Sequence, residues 1–341
     1  MTADTYTADP DRYERLGYRR AGRSGLVLPE FSFGLWQKFG DDHPYATQRE
    51  ILLRAFDLGI THFDNANRYG PPFRAAEKTF GRLLREDLGA YRDEILISTK
   101  AGNPIGPSPY LKGGSRKSLL ASLDASLKDL GTDYVDIFYS HSPDLDTPLE
   151  ETVVALASAV QQGKALYVAI SNHSAERAHE ASRLLRDLGV PLVLHQPRYS
   201  IFDRRVETED LLGTAREDGH GLIVYSPLAQ GLLTDKYLGG DVPTGARAEN
   251  SIFLSSDDLS ADYLERAGAL NDLALARGQS LAQLALQWVL RREEVTSALI
   301  GASSTWQLEH NLEATSFAPF TTEELEIIDR HGVHGTGLRI R

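Results

Sequence analysis

The chain has 341 residues, 41% of them hydrophobic and 25% charged, with a net charge of −12 and no cysteine. That balance describes a globular protein with a large core, and it excludes disulfides, zinc–thiolate centres and a cysteine nucleophile. A negative chain lacks the basic footprint of non-specific nucleic-acid binding, and no stretch approaches the roughly 20 apolar residues of a membrane span.

Residues 1–16 (MTADTYTADPDRYERL) are polar and carry no apolar run, so they read as a flexible lead rather than a secretory signal. The expected location is the cytoplasm. Residues 17–30 fit a short hairpin turning at Ser24-Gly25, of a kind that can plug the lower end of a barrel. Short apolar runs rich in Val, Ile, Phe and Tyr follow at 31–35, 60–64, 95–100, 135–141, 165–172, 192–196, 221–226 and 296–301. Their length suits buried strands. Helical spacing lies between them. In residues 116–130, Leu119, Leu120, Leu123, Leu127 and Leu130 share one face, and 149–162, 175–188, 208–217 and 281–291 behave similarly. Ser280 stands as N-cap to the last of these. The long interval from 226 to 301 predicts an excursion with an extra helix near 261–277, and 332–341 form a C-terminal tail. Eight strand–helix alternations imply an α/β protein of one domain over 1–341, a (β/α)8 TIM barrel.

In such barrels the active site is built from the carboxyl ends of strands. Polar residues stand at those ends here: Trp36-Gln37, Asp64, Lys100, His141, Ser171-Asn172, Gln196, Ser226 and Ser303, with Tyr69 in the loop after Asp64. Each alone has a bland reading. Asp64 could cap a loop, Lys100 could be its ion-pair partner, His141 a core histidine and Tyr69 an exposed aromatic. Convergence on one mouth makes the chemical reading stronger. A hydride delivered to a carbonyl carbon leaves charge on the oxygen, which a phenol can protonate. In this scheme Tyr69 is the donor. Lys100 is expected to lower its pKa, Asp64 to hold Lys100 charged, and His141 to orient the carbonyl.

The segments 59–70 (GITHFDNANRYG), 98–100 (STK), 141–144 (HSPD), 163–168 (GKALYV), 225–231 (YSPLAQG) and 300–303 (IGAS) resemble the aldo-keto reductase superfamily over nearly the whole chain. Segments 67–72, 81–86, 91–102, 113–123 and 225–236 are most similar to its bacterial reductases of L-glyceraldehyde 3-phosphate and methylglyoxal, which are related to potassium-channel β subunits. The resemblance implies the eight-stranded barrel and NADPH/NADP+ held across its mouth, which accounts for the lack of a GxGxxG fingerprint. Ser171, Asn172 and Gln196 match the positions that hold the carboxamide, and Tyr225 the ring that stacks on nicotinamide. Ser226, Pro227, Leu228, Gly231 and Lys236 match the pyrophosphate segment. Gly301, Ser303, Gln307 and Asn311 match the last strand end and adenosine positions, and Arg247 a 2′-phosphate partner. His310 stands where relatives often carry a glutamate. Trp36 walls the pocket or lies against the cofactor. Lys112 and Arg116, in a Gly- and Pro-containing loop, are candidates for a substrate phosphate. The resemblance also implies a small aldehyde substrate and a homo-oligomer.

Three rivals remain. A metal-dependent hydrolase would use His62, Asp64, His141 and His195, but strand alternation keeps His195 and Gln196 from both entering the mouth. A Schiff-base aldolase would need a neutral Lys100, which Asp64 opposes. A slow-turnover, redox-sensing binding module like the channel β subunits would keep the same residues.

Overall fold

A computed structural model describes residues 6–240 and 259–337. Eight parallel strands close into a barrel: β3 (Phe31–Gly34), β4 (His62–Asp64), β5 (Leu96–Ala101), β6 (Val135–Ser140), β7 (Ala165–Ser171), β8 (Leu192–Gln196), β9 (Gly221–Val224) and β10 (Val295–Ile300), with β10 pairing back to β3. The helices around it are α1 (Tyr45–Asp57), α2 (Ala75–Leu83), α3 (Arg116–Leu130), α4 (Leu149–Gln161), α5 (Ala175–Asp187), α6 (Arg205–Thr208), α7 (Leu211–Asp218), α8 (Ala261–Ala276), α9 (Leu281–Leu290), α10 (Thr305–Leu312) and α11 (Thr322–His331). The expected barrel, with its hairpin and extra helix, is therefore the observed fold.

Strand alternation divides the core in two. Outward side chains such as Phe63, Ile97, Phe138, Ile170 and Val224 pack beneath the helices. Ile137, Tyr139, Ala169, Leu194, Ile223 and Leu299 form a separate cluster with Ala21, Leu26 and Leu28. Those last three belong to the hairpin of β1 (Tyr18–Arg20) and β2 (Val27–Pro29), which thus fills the barrel's lower end. The approach there is close: a Cβ on Gly22 would sit 2.3 Å from the Gly219 carbonyl oxygen, and its φ of +53° suits glycine.

Three features differ from expectation. The lead is packed from residue 6 onward. Tyr6 donates to Asp57 (2.6 Å), the Ala8 amide donates to Tyr91 (3.0 Å), and Arg12 pairs with Glu94. The helical pattern near 208–217 is split by Asp210, whose φ is +56°, into α6 and α7. Finally, α1, α2, α10 and α11 are helices beyond those expected from the spacing of apolar residues. The tail up to residue 337 packs back on the barrel's flank, the Gly335 amide donating to Phe202 (2.9 Å).

Candidate active site

Register places the polar strand ends together. β4 ends at Asp64, opposite Ser98 of β5, and β5 runs on, so that Lys100 lies beside Tyr139 of β6. Asp64 and Lys100 thereby point inward, while Thr99 points outward and donates to Glu77 on α2 (2.6 Å). Lys100 is fully buried and its ammonium has three partners: the carboxylate of Asp64, the carbonyl of Asn65 (3.0 Å) and the hydroxyl of Tyr69 (3.0 Å). Asp64 Oδ1 also accepts from Ser98 (2.8 Å) and Gln196 (3.2 Å). The His141 ring stands edge-on to Tyr69, with centroids 5.9 Å apart. Asp64, Tyr69, Lys100 and His141 are therefore one constellation.

Electrostatics make one correction. Lys100 was expected to lower the Tyr69 pKa. Burial, and then the Asp64 charge, instead push that phenol well above its ordinary value. The charge of Asp64 balances that of Lys100, so little net positive field reaches the phenol. Burial also pulls Lys100 below its usual value, against the opposing Asp64 charge. His141 is driven well down, first by burial and then by Lys100 and Arg68, and is neutral at ordinary pH. The site presents a firmly protonated phenol, an ammonium and a neutral imidazole whose Nδ1 is buried without a hydrogen-bond partner.

The next strand ends adjoin it. Asn172 Nδ2 donates to the His141 carbonyl (3.0 Å) and to Ser171 Oγ (3.1 Å), and Ser171 donates to the Gln196 carbonyl (2.8 Å). Tyr225 donates its hydroxyl to Asn172 Oδ1 (2.8 Å), which fixes the tilt of a half-buried ring at the rim. Beyond it the chain takes left-handed conformations at Ser226 (+55°), Ala229 (+47°), Gln230 (+63°) and Gly231 (+103°). Left-handed non-glycine residues are costly and tend to gather at functional loops. Pro227 is buried, Leu228 half-buried and Lys236 exposed. At the last strand end Gly301 is exposed, and Ser303 donates through N and Oγ to Gln307 (2.9 and 3.0 Å). Asn311 is buried, with Nδ2 lacking a partner. His310 stacks on exposed Trp306 at 5.2 Å. Trp36 packs half-buried beyond β3. Arg247 lies outside the described residues.

Lys112 is exposed in the loop before α3. Arg116, the other residue expected to meet a phosphate, donates its guanidinium to Ser158 on α4 (2.7 Å). Among the described residues no group of three His, Asp or Glu could hold a metal. His195 faces outward against His173 and His220 while Gln196 reaches Asp64, as alternation requires. Sequence reasoning missed Tyr139, whose ring lies 5.5 Å from the Lys100 ammonium, and the partners beneath Asp64. Inward register two residues before Asp64, Lys100 and His141 was the available signal.

A closed parallel barrel with titratable side chains gathered at the carboxyl ends of its strands is the architecture of a barrel enzyme. The aldo/keto reductase family profile matches residues 30–333. The chain is 53% identical over 334 residues to an L-glyceraldehyde 3-phosphate reductase of Escherichia coli (strain K12), covering 97% of this chain and 96% of the relative. It is 40% identical over 312 residues to a probable voltage-gated potassium channel subunit beta of Arabidopsis thaliana, covering 89% and 93%. A rice protein of the same description is 37% identical over 312 residues, covering 90% and 94%. The protein belongs to the aldo/keto reductase family and is an oxidoreductase.

Members of this family generally use a nicotinamide dinucleotide. The residues present suit one. Asn172 and Gln196 can donate and accept as a carboxamide demands, and the buried, unpartnered Asn311 amide is a donor awaiting an acceptor. Among the described residues no helix is long and apolar enough to cross a membrane.

Proposed function

We propose that the protein is an NADPH-dependent reductase of small aldehydes, with L-glyceraldehyde 3-phosphate as the first candidate substrate and methylglyoxal as a second. The observation that carries this reading is the 3.0 Å contact between Lys100 Nζ and the Tyr69 hydroxyl, with Asp64 on the ammonium's other side. When bound, the nicotinamide supplies a hydride to the carbonyl carbon. Ser171, Asn172 and Gln196 hold its carboxamide, and Tyr225 offers a ring face. The left-handed loop at Ser226–Gly231, with Pro227, Leu228 and Lys236, receives the diphosphate. Gly301, Ser303, Gln307 and Asn311 receive the adenosine end, and Arg247 a 2′-phosphate.

Tyr69 gives its proton to the carbonyl oxygen. The phenolate left behind is formed only during turnover, since the resting phenol is held protonated, and Lys100 offsets its charge. Asp64 keeps the ammonium in place and charged within a buried site. His141, being neutral, can donate an N–H to the same oxygen and fix the carbonyl's angle. Trp36 walls the pocket, and the exposed Lys112 is a candidate cation for a substrate phosphate. The 53% identity to a protein named for L-glyceraldehyde 3-phosphate supports that substrate.

Steady-state NADPH oxidation with a panel of aldehydes, phosphorylated and not, tests the reading. L-Glyceraldehyde 3-phosphate should give the highest kcat/KM. No oxidation with any aldehyde would overturn it, and slow oxidation with all of them would favour a cofactor-sensing module like the channel subunits.

A further inference from the structure

Beneath Asp64 lies a line of buried polar side chains on the inner wall of the barrel. Ser98 Oγ is 2.8 Å from Asp64 Oδ1, and His62 Nε2 is 3.1 Å from Ser98 Oγ. His62 Nδ1 is 2.9 Å from Ser32 Oγ, and Ser32 Oγ is 2.7 Å from Ser297 Oγ. All four residues below Asp64 are fully buried, and they come from β3, β4, β5 and β10. The rest of the inner wall, on β6 to β10, is largely apolar. A polar line along one side of an apolar barrel needs a reason, since each of its groups costs free energy unless paired.

Hydrogen counting sets its direction. A carboxylate only accepts, so the single hydroxyl proton of Ser98 goes to Asp64. His62 Nε2 must then carry the hydrogen that meets Ser98. A buried imidazole with Nε2–H is neutral, so its Nδ1 accepts, and Ser32 is the donor. The Ser32 proton being spent, Ser297 donates to Ser32. Every donor therefore leads toward Asp64. We propose that Ser297, Ser32, His62 and Ser98 form a one-way hydrogen-bond line whose positive ends converge on Asp64, making His62 and Ser98 positioning residues for the Asp64–Lys100 pair. This rests on the reading of Tyr69, Lys100 and Asp64 given above. Without the line, Asp64 loses a donor and draws the proton of Lys100 toward itself. The neutral pair that results cannot offset a phenolate on Tyr69.

Two measurements test it. In the full chain with 15N-labelled histidine, the ring signals removed by His62→Gln should report a neutral Nε2–H tautomer. A protonated Nδ1, as the other tautomer or as imidazolium, overturns the direction. Ser98→Ala should lower kcat by about ten- to a hundredfold, as loss of one hydrogen bond to a charged group requires, with KM for NADPH unchanged. Ser98→Thr should restore kcat, and His62→Gln, which keeps a donor toward Ser98, should lose less than His62→Met. Unchanged kcat in Ser98→Ala sinks the proposal. A matching rise in KM for NADPH, or equal loss in both His62 variants, makes the line merely structural and sinks it too. The tautomer result stands whether or not the chain reduces an aldehyde. If Tyr69→Phe abolishes turnover while Ser98→Ala is silent, this inference alone fails.

Discussion

At Tyr69 the phenol lies 3.0 Å from an ammonium and yet is held protonated, because burial and the Asp64 charge outweigh that contact. The residue types and their neighbours in sequence made the proposed donor legible. The sign of its pKa was not, because desolvation depends on how many other side chains close over it. A proposed general acid contributes about a hundred- to ten-thousandfold. Tyr69→Phe should lose that much kcat while NADPH titration by fluorescence gives nearly the parent's Kd; equal loss of binding would make Tyr69 structural. His141 supplies a second prediction. Since burial and Lys100 keep it neutral, kcat should stay flat between about pH 6 and 8, where a free imidazole would titrate. A bell centred in that range in the kcat profile would contradict the role given to it.

Among the elements, those carrying strong local signals are where the sequence reading placed them. α3 spans Arg116–Leu130, the leucine face already visible in the chain, and Ser280 caps α9 in a reciprocal box with Gln283. Gln283 also donates to the carbonyl of His310 (2.8 Å), so that cap ties α9 to α10. Ser280→Ala should destabilise the protein by about 1 kcal/mol, read as a lower urea midpoint at unchanged m-value. No change would mean that the box is not what holds this helix start. α2 presses Gly81 so close to α3 that a Cβ would lie 2.4 Å from the Asp129 carbonyl oxygen. No local periodicity announces a contact made with another helix.

For the whole molecule, buried histidines set the acid limit. His62, His173 and His220 are each held down to about 4 from an ordinary 6.5 by burial, and burial also drives His141 and His195 well below their ordinary value. As pH falls through that window the unfolded chain takes up protons that the folded one refuses, so stability is lost on acidification. Each histidine held near 4 accounts for about 3 kcal/mol. Glu77 opposes them. Burial raises it to about 7 from 4.5, so the folded state holds its proton longer and stability falls as pH rises across that range. Burial raises Asp136 as well, but two carboxyls do not offset five imidazoles. Thermal unfolding should therefore show Tm dropping steeply below about pH 6, and Glu77→Gln should raise Tm at about pH 8 but not at about pH 4. A Tm independent of acidity would contradict the neutral interior. By itself the sequence determined the eight-fold alternation, the inward hairpin and the identities of Asp64, Tyr69, Lys100 and His141. Those follow from periods of two and 3.6 residues and from residue types, which are properties of a chain one segment at a time. Only the tertiary structure decided that Arg116 turns onto α4, that the phenol is raised rather than lowered, and that a polar line runs under Asp64. Each of these depends on which strands and helices close over a group, and closure of a barrel joins residues as far apart as Ser32 and Ser297.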